Sequence, residues 1–301
     1  MGVAMISQQY GRAHYGAWRA ACALPSLFGS VLVLAMAFGW LGTWSGLVVL
    51  GWLLAAAALL CRPGERVAVM AAYRYRDLSA REAALLGPIQ HQVVHRCGLP
   101  DDAIDWYVRR TARGVNGYAA GARSVAVSAD LVDALERGRL SEQQAVAILT
   151  HEAAHHLGRA TRYGLMIGWL TAPWRLAAAV FGGLLRAIVR RVPTARAALL
   201  LVPVVSVVAG VQLVQHHAWL PLAVLVGLAL VVGAQPLADA AISRASERAA
   251  DEHTARLGSG PDLAAALQHF HTNEPAGRWL ATHPKLTDRL AHLAGGAPRP
   301  R

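Results

Sequence analysis

Lysine is almost missing from this 301-residue chain: Lys285 stands alone, although Lys and Arg together number 29 against 18 acidic residues, for a net charge of +11. The positive charge is therefore arginine. Much of it flanks apolar runs (Arg12, Arg19, Arg62, Arg66, Arg186, Arg190, Arg191, Arg196), as cytoplasmic loops beside membrane spans do. It does not alternate with aromatic residues along a groove, so the charge is not read as a nucleic-acid surface. Cysteine is scarce too. Cys22, Cys61 and Cys97 have no paired spacing, which excludes a disulfide framework and a thiolate metal site and leaves them as unreactive fillers. There is no fixed-period repeat, no low-complexity tract and no lipidation signal beyond a Gly/Pro/Arg tail at 295–301. Basic residues precede the first apolar run, but a second run follows almost at once, so no signal-peptide cleavage is expected.

Apolar residues, by contrast, make up 55% of the chain and the mean hydropathy is +0.34, outside ordinary soluble composition. The excess falls in two blocks, 24–61 and 164–238. Leu24–Trp40 and Trp44–Cys61 are each nearly uncharged and long enough for a bilayer, with Gly42, Thr43 and Ser45 as the turn. They read as a transmembrane hairpin whose outer arginines put residues 1–23 and residue 62 onward in the cytoplasm. The more polar stretches 62–163 and 239–301 then build one aqueous domain from two pieces.

Within the first piece, Ser79 with Glu82 forms a capping box for a helix to about Arg96, ended by Gly98-Leu-Pro100. The runs Ile104–Thr111 and Val115–Val127, with turn signals at Arg113-Gly114 and Gly121-Ala122, predict a β-hairpin. A short helix is expected near Ala129–Arg137. A second capping box, Ser141 with Gln144, opens a helix to about Leu157 that closes at Gly158.

This second helix contains His151-Glu152-Ala153-Ala154-His155. Residues four apart share a helix face, so both imidazoles reach one ion, and Glu152 lies near enough to act on a metal-activated water. His91 and His95 have the same spacing, but position 92 is Gln, so no general base follows. That pair, like His156, His216, His217, His253, His269, His271 and His292, is assigned no role. Catalytic zinc needs a third protein ligand on another element. Glu247 is the candidate, on a helical run Ser243–Asp251 that ends at Gly258. Asp251, one turn on, would accept a hydrogen bond from a ligand histidine.

A shared metal puts 151 and 247 on one side of the membrane, so the chain crosses it an even number of times between them. Of three apolar segments, Leu165–Val189, Leu199–Val214 and Trp219–Gln235, the first carries Pro173 and Arg175 and runs into the basic stretch Arg186–Arg196. It is read as interfacial or re-entrant, and the other two as a hairpin turning at Gln215-His216-His217.

Four motifs in order resemble the HtpX-type membrane metalloproteases, relatives of the CAAX prenyl protease, over most of 62–295. They are His151-Glu152-Ala-Ala-His155; Ser246-Glu247-Arg-Ala-Ala-Asp251, similar to that family's Arg-Glu-x-x-Ala-Asp; Asn116-Gly117-Tyr118-Ala119, similar to Asn-Ala-x-Ala; and Thr282-His283-Pro284 with Arg289, similar to Thr-His-Pro with a trailing Arg. Gly117 stands where the family has Ala, and Ser246 where it has Arg. The resemblance implies a mostly helical α+β fold, a polytopic membrane protein with a cytoplasmic gluzincin-type domain of helices and a small edge sheet. It also implies an endopeptidase with one zinc ion per chain, acting in quality control on membrane or misfolded polypeptides. The strand 116–119 would pair with extended substrate. His283 and Arg289 would lie near the tetrahedral intermediate or organise the site, although His283 reads equally as a helix-start histidine beside Pro284 at N1. Two rivals are a proteolytically silent scaffold that keeps zinc for stability and a sensor protease of the antibiotic-receptor type. The second would need a downstream ligand-binding domain, which these residues lack.

Overall fold

The computed structural model describes residues 15–110, 114–192, 194–270 and 284–295. In chain order the elements are α1 (Tyr15–Phe38), α2 (Trp44–Ala58), α3 (Arg62–Tyr73), β1 (Tyr75–Asp77), α4 (Ala80–Cys97), β2 (Asp105–Arg109), β3 (Gly117–Ala120), β4 (Ser124–Ser128), α5 (Ala129–Glu136), α6 (Glu142–Leu157), α7 (Gly164–Leu170), α8 (Ala172–Arg191), α9 (Thr194–Gln215), α10 (Trp219–Ala229), α11 (Gln235–Arg256), α12 (Gly260–Phe270) and α13 (Leu286–Gly295). The fold is mostly helical with one four-stranded sheet. It divides into a unit of residues 1–20, 55–166 and 239–301 and a unit of residues 21–54 and 167–238.

In the first unit both capping boxes are present: Ser79 and Glu82 cap α4, and Ser141 and Gln144 cap α6. Each satisfies backbone N–H groups that an N-terminus otherwise leaves bare. Gly98 ends α4 in the left-handed conformation with φ 62°. Gly158 ends α6 in right-handed geometry, and the left-handed turn falls one residue on, at Arg159 (φ 54°).

The sheet corrects the expected hairpin. The chain reverses at the expected Gly121-Ala122 turn (Gly121 φ 61°), which divides Val115–Val127 into β3 and β4, so 104–111 and 115–127 are not the two arms of one hairpin. The hairpin is β3–β4; β2 pairs with β4 in parallel, with Asp105 opposite Ser124 and Arg109 opposite Ser128. The three-residue β1 adds to the other side of β2, giving the order β1-β2-β4-β3 with β3 at an edge.

Alternation along the strands sorts the two faces. Val108, Val125 and Val127 join Leu86, Ile89 and Val93 of α4, Val146 and Leu149 of α6, and Leu263 and Leu267 of α12. Tyr75, Tyr107, Ala120 and Ala126 face the other way, onto Val69 of α3. Helix α6 runs through the middle of the first cluster, buried without a break from Ala145 to His155. Each large side chain taken fully from water there contributes about 1.5–3 kcal/mol, so the helix that carries the motif is also a main support of the core.

The second unit is helical. Among the described residues, three helices, Ala17–Leu41, Ala172–Arg191 and Trp219–Arg256, are long and apolar enough to cross a membrane, and the pair Trp44–Ala58 and Arg62–Tyr73, bent by 100°, adds a fourth if it forms one span. Helices α9 and α10 are joined by a turn at His217 (φ 52°), where Ala218 N–H donates to the Leu213 carbonyl at 2.8 Å. The stretch 165–189 is two helices parted at Thr171, with Pro173 in the first turn of α8. The third apolar segment does not stop near Gln235. It passes through a π-helical turn, Leu230–Ala234, into α11.

Candidate active site

His151 and His155 lie one turn apart on α6 with rings edge to face, centroids 4.9 Å apart. Helix α11 runs antiparallel to α6 here, so that Asp251 meets His151 while Ser246 and Glu247 meet His155. Glu247 straddles the pair, with Oε2 3.4 Å from His151 Nε2 and Oε1 3.4 Å from His155 Nε2. One ligand atom from each of the three residues lies within 4.8 Å of the others, and all three side chains are at most slightly exposed. Donors about 2.0–2.1 Å from a tetrahedral zinc stand roughly 3.3–3.4 Å from one another. Both Glu247–histidine spacings match that separation.

The electrostatics agree. Among the described residues, Glu152, Glu247 and Asp251 bring three carboxylates together beside the Arg289 guanidinium, a donor set rich in anionic oxygen. Burial by itself would lower the His151 pKa, but the Asp251 and Glu247 carboxylates outweigh it and raise it to about 10.

Around these three side chains stands a layer of supporting groups. His151 Nδ1 is 3.0 Å from Asp251 Oδ1, a close charge contact that falls short of hydrogen-bond alignment. Asp251 is itself fixed by Arg289, whose Nη2 and Nε donate to its two oxygens at 2.7 and 2.9 Å. Arg289 also lies 3.8 Å from Glu247 Oε2 and has Nη2 3.5 Å from His151 Nε2. Arg289 is thus in contact with residues of both helices. His283 lies outside the described residues.

Strand β3 closes the site on the side of Glu152. Ser128 N–H donates to the Asn116 carbonyl at 2.9 Å, so in the antiparallel alternation Gly117 and Ala119 turn their N–H and C=O groups away from β4, toward the outer edge. Ala119 N–H donates to Glu152 Oε2 at 2.8 Å, and Gly117 N–H donates to Asn116 Oδ1 at 3.0 Å. A Cβ at Gly117 would lie 2.6 Å from Glu152 Cγ and 3.3 Å from Ile148 Cγ2. Glycine there lets the edge strand approach α6 at backbone distance. Tyr118 points to the opposite face, where Arg109 stacks on its ring at 4.6 Å.

Three contributors were assigned no role from the sequence, although Ser246 stands out there as a departure from the family's arginine. Glu65, buried on α3, accepts from Ala122 N–H at 2.9 Å, from Arg123 and Ser124 N–H at 3.0 Å each, and from Ser124 Oγ at 2.7 Å. It thereby holds the β3–β4 turn. His156 is set against the same turn, Nε2 3.2 Å from the Ser124 carbonyl and Nδ1 3.1 Å from Thr161 Oγ1. Its burial pushes the pKa down to about 4, so it is a neutral structural residue. Ser246 Oγ lies 3.1 Å from His155 Nδ1. His91 and His95 stack at 6.5 Å and belong to no three-ligand group among the described residues.

No curated protein matches the chain. The family model described as peptidase family M48 matches residues 80–297, a stretch holding both ligand helices, the edge strand and Arg289. The chain therefore belongs to peptidase family M48, which contains the HtpX-type and CAAX-protease-like zinc metallopeptidases, and it is a metallopeptidase.

Proposed function

We propose that this chain is a membrane-bound zinc endopeptidase that hydrolyses peptide bonds of membrane or misfolded proteins on the cytoplasmic side of the bilayer. The observation that carries the metal assignment is the pair of 3.4 Å spacings by which Glu247 bridges His151 and His155. His151, His155 and Glu247 would hold the zinc ion, which when bound would supply Lewis-acid activation of water and of the scissile carbonyl. Glu152 Oε2 is committed to the Ala119 amide, which aims the carboxylate so that Oε1 takes the proton of the attacking water and delivers it to the leaving amine. Arg289, anchored on Asp251, offsets negative charge beside the ligands. An extended peptide laid along β3 donates its N–H groups to the outward carbonyls of Gly117 and Ala119, which places its backbone beside Glu152.

The membrane reading rests on the apolar helices and the arginines at their ends. Residues that share a metal share a compartment, so an even number of crossings separates α6 from α11. In this reading α9, whose apolar stretch Leu201–Gln215 is short, and α10 supply the two crossings, and α8, although long and apolar enough to cross, is held at the interface by its arginines, which include 175, 186, 190 and 191.

The deciding experiment compares purified wild type and Glu152→Gln on an unfolded casein-like protein and on detergent-solubilised membrane proteins, with zinc measured in both. Zinc-dependent cleavage by the wild type alone is expected. Zinc in both proteins with cleavage by neither would favour the silent scaffold.

A further inference from the structure

The two histidine ligands are supported by different chemistry. His151 faces a carboxylate, Asp251, that is itself clamped by a guanidinium. His155 faces Ser246, whose Oγ is 3.1 Å from Nδ1. Ser246 is 5% exposed and His155 9%, so water does not readily replace that contact. An imidazole that ligates through Nε2 must carry its proton on Nδ1, and the partner of Nδ1 holds that tautomer and the ring angle. If the proton sat on Nε2 instead, it would point at Glu247 Oε1, 3.4 Å away, and the ligand lone pair would be lost from the site.

Building on the metal site proposed above, we propose that Ser246 is the positioning residue of His155: its hydroxyl accepts Nδ1–H and keeps the Nε2 lone pair turned toward Glu247 and the metal. Helix α11 delivers this by simple spacing. Ser246 and Glu247 are neighbours, and Asp251 follows one turn later, so one helix supplies the third ligand and the outer partner of each of the other two. A basic side chain at 246 could not accept from Nδ1–H, so the serine is a specific part of how this chain builds its site.

The test is zinc affinity of the full chain in detergent, read by competition with a chromogenic chelator, for Ser246→Ala, Ser246→Thr and Ser246→Val. Threonine and valine have nearly the same shape and differ by the hydroxyl, so they separate hydrogen bonding from packing even where the alanine variant folds poorly. The expected result is zinc binding about 10–100-fold weaker for alanine and valine, with threonine within about threefold of wild type. Equal affinity of the threonine and valine variants, or an alanine variant within about threefold of wild type, overturns the proposal. His155→Ala and Glu247→Ala accompany the series. If these two lose zinc while Ser246→Val binds like wild type, the positioning claim alone falls. If they bind zinc as wild type does, the metal site itself is wrong and the claim falls with it.

Discussion

Glu152 is asked to do two things at once, and two substitutions separate them. Its Oε2 accepts the Ala119 amide at 2.8 Å, a contact that positions the side chain, while proton transfer needs an ionised carboxylate. Glu152→Gln keeps an oxygen for the Ala119 amide and removes the base. A positioned general base is worth roughly 10²–10⁴ in rate, or about 3–5 kcal/mol of barrier. The variant should fold as wild type does and fall by that factor in kcat. Glu152→Ala loses the base and also deprives Ala119 N–H of its acceptor. An amide left without a partner costs about 1–3 kcal/mol. Ala119 is only half-buried, so water reaches it and the lower end applies. About 1 kcal/mol in an aqueous domain of this size lowers Tm by roughly 2–4 °C. The assays are peptide hydrolysis at saturating zinc and thermal unfolding of the same preparations. Glutamine activity within about tenfold of wild type would refute the base assignment, and equal Tm values for the two variants would refute the amide contact.

Three further outcomes are expected. Glu247→Ala should lower zinc content by elemental analysis while His91→Ala and His95→Ala leave it unchanged; control of metal by the 91/95 pair would move the site to α4. In Glu65→Gln one oxygen can still serve the Arg123 and Ser124 amides, but the new NH₂ faces the Ala122 N–H. The loss of one charge-assisted bond should cost about 2–4 kcal/mol, read by thermal unfolding, with KM rising as the β3 edge loosens; a Tm within about 2 °C of wild type would contradict it. Single cysteines at 66, 216 and 252, in a background lacking the native cysteines, should label from outside at 216 alone, and outside labelling at 252 with 66 inside would separate the two ligand helices and break the shared metal site.

What could be read from the sequence follows from how each feature is built. The histidines of α6 are legible because a helix must space two ligands by one turn, and because polar residues inside an otherwise apolar helix have few other reasons to be there. Glu247 and Asp251 obey the same rule on a second helix. The capping boxes are legible since both partners lie within three residues. Legibility fails where a contact spans the chain. Glu65 reaches amides 57 to 59 residues away, and because it binds backbone groups, the residues it holds show no complementary side chain. The parallel pairing of β2 with β4 leaves no mark in either strand, whereas the reversal within 115–127 is legible as the Gly121-Ala122 turn signal, Gly121 taking φ 61° where a Cβ would also lie 2.5 Å from the Glu65 carboxylate. Ser246 lies between these cases. Position 246 is visible as a departure from the family's arginine, and on charge alone that departure reads as a lost contact. Only the antiparallel run of α11 along α6, which brings 246 to His155 while 251 meets His151, turns the missing charge into a hydrogen-bond acceptor for a ligand.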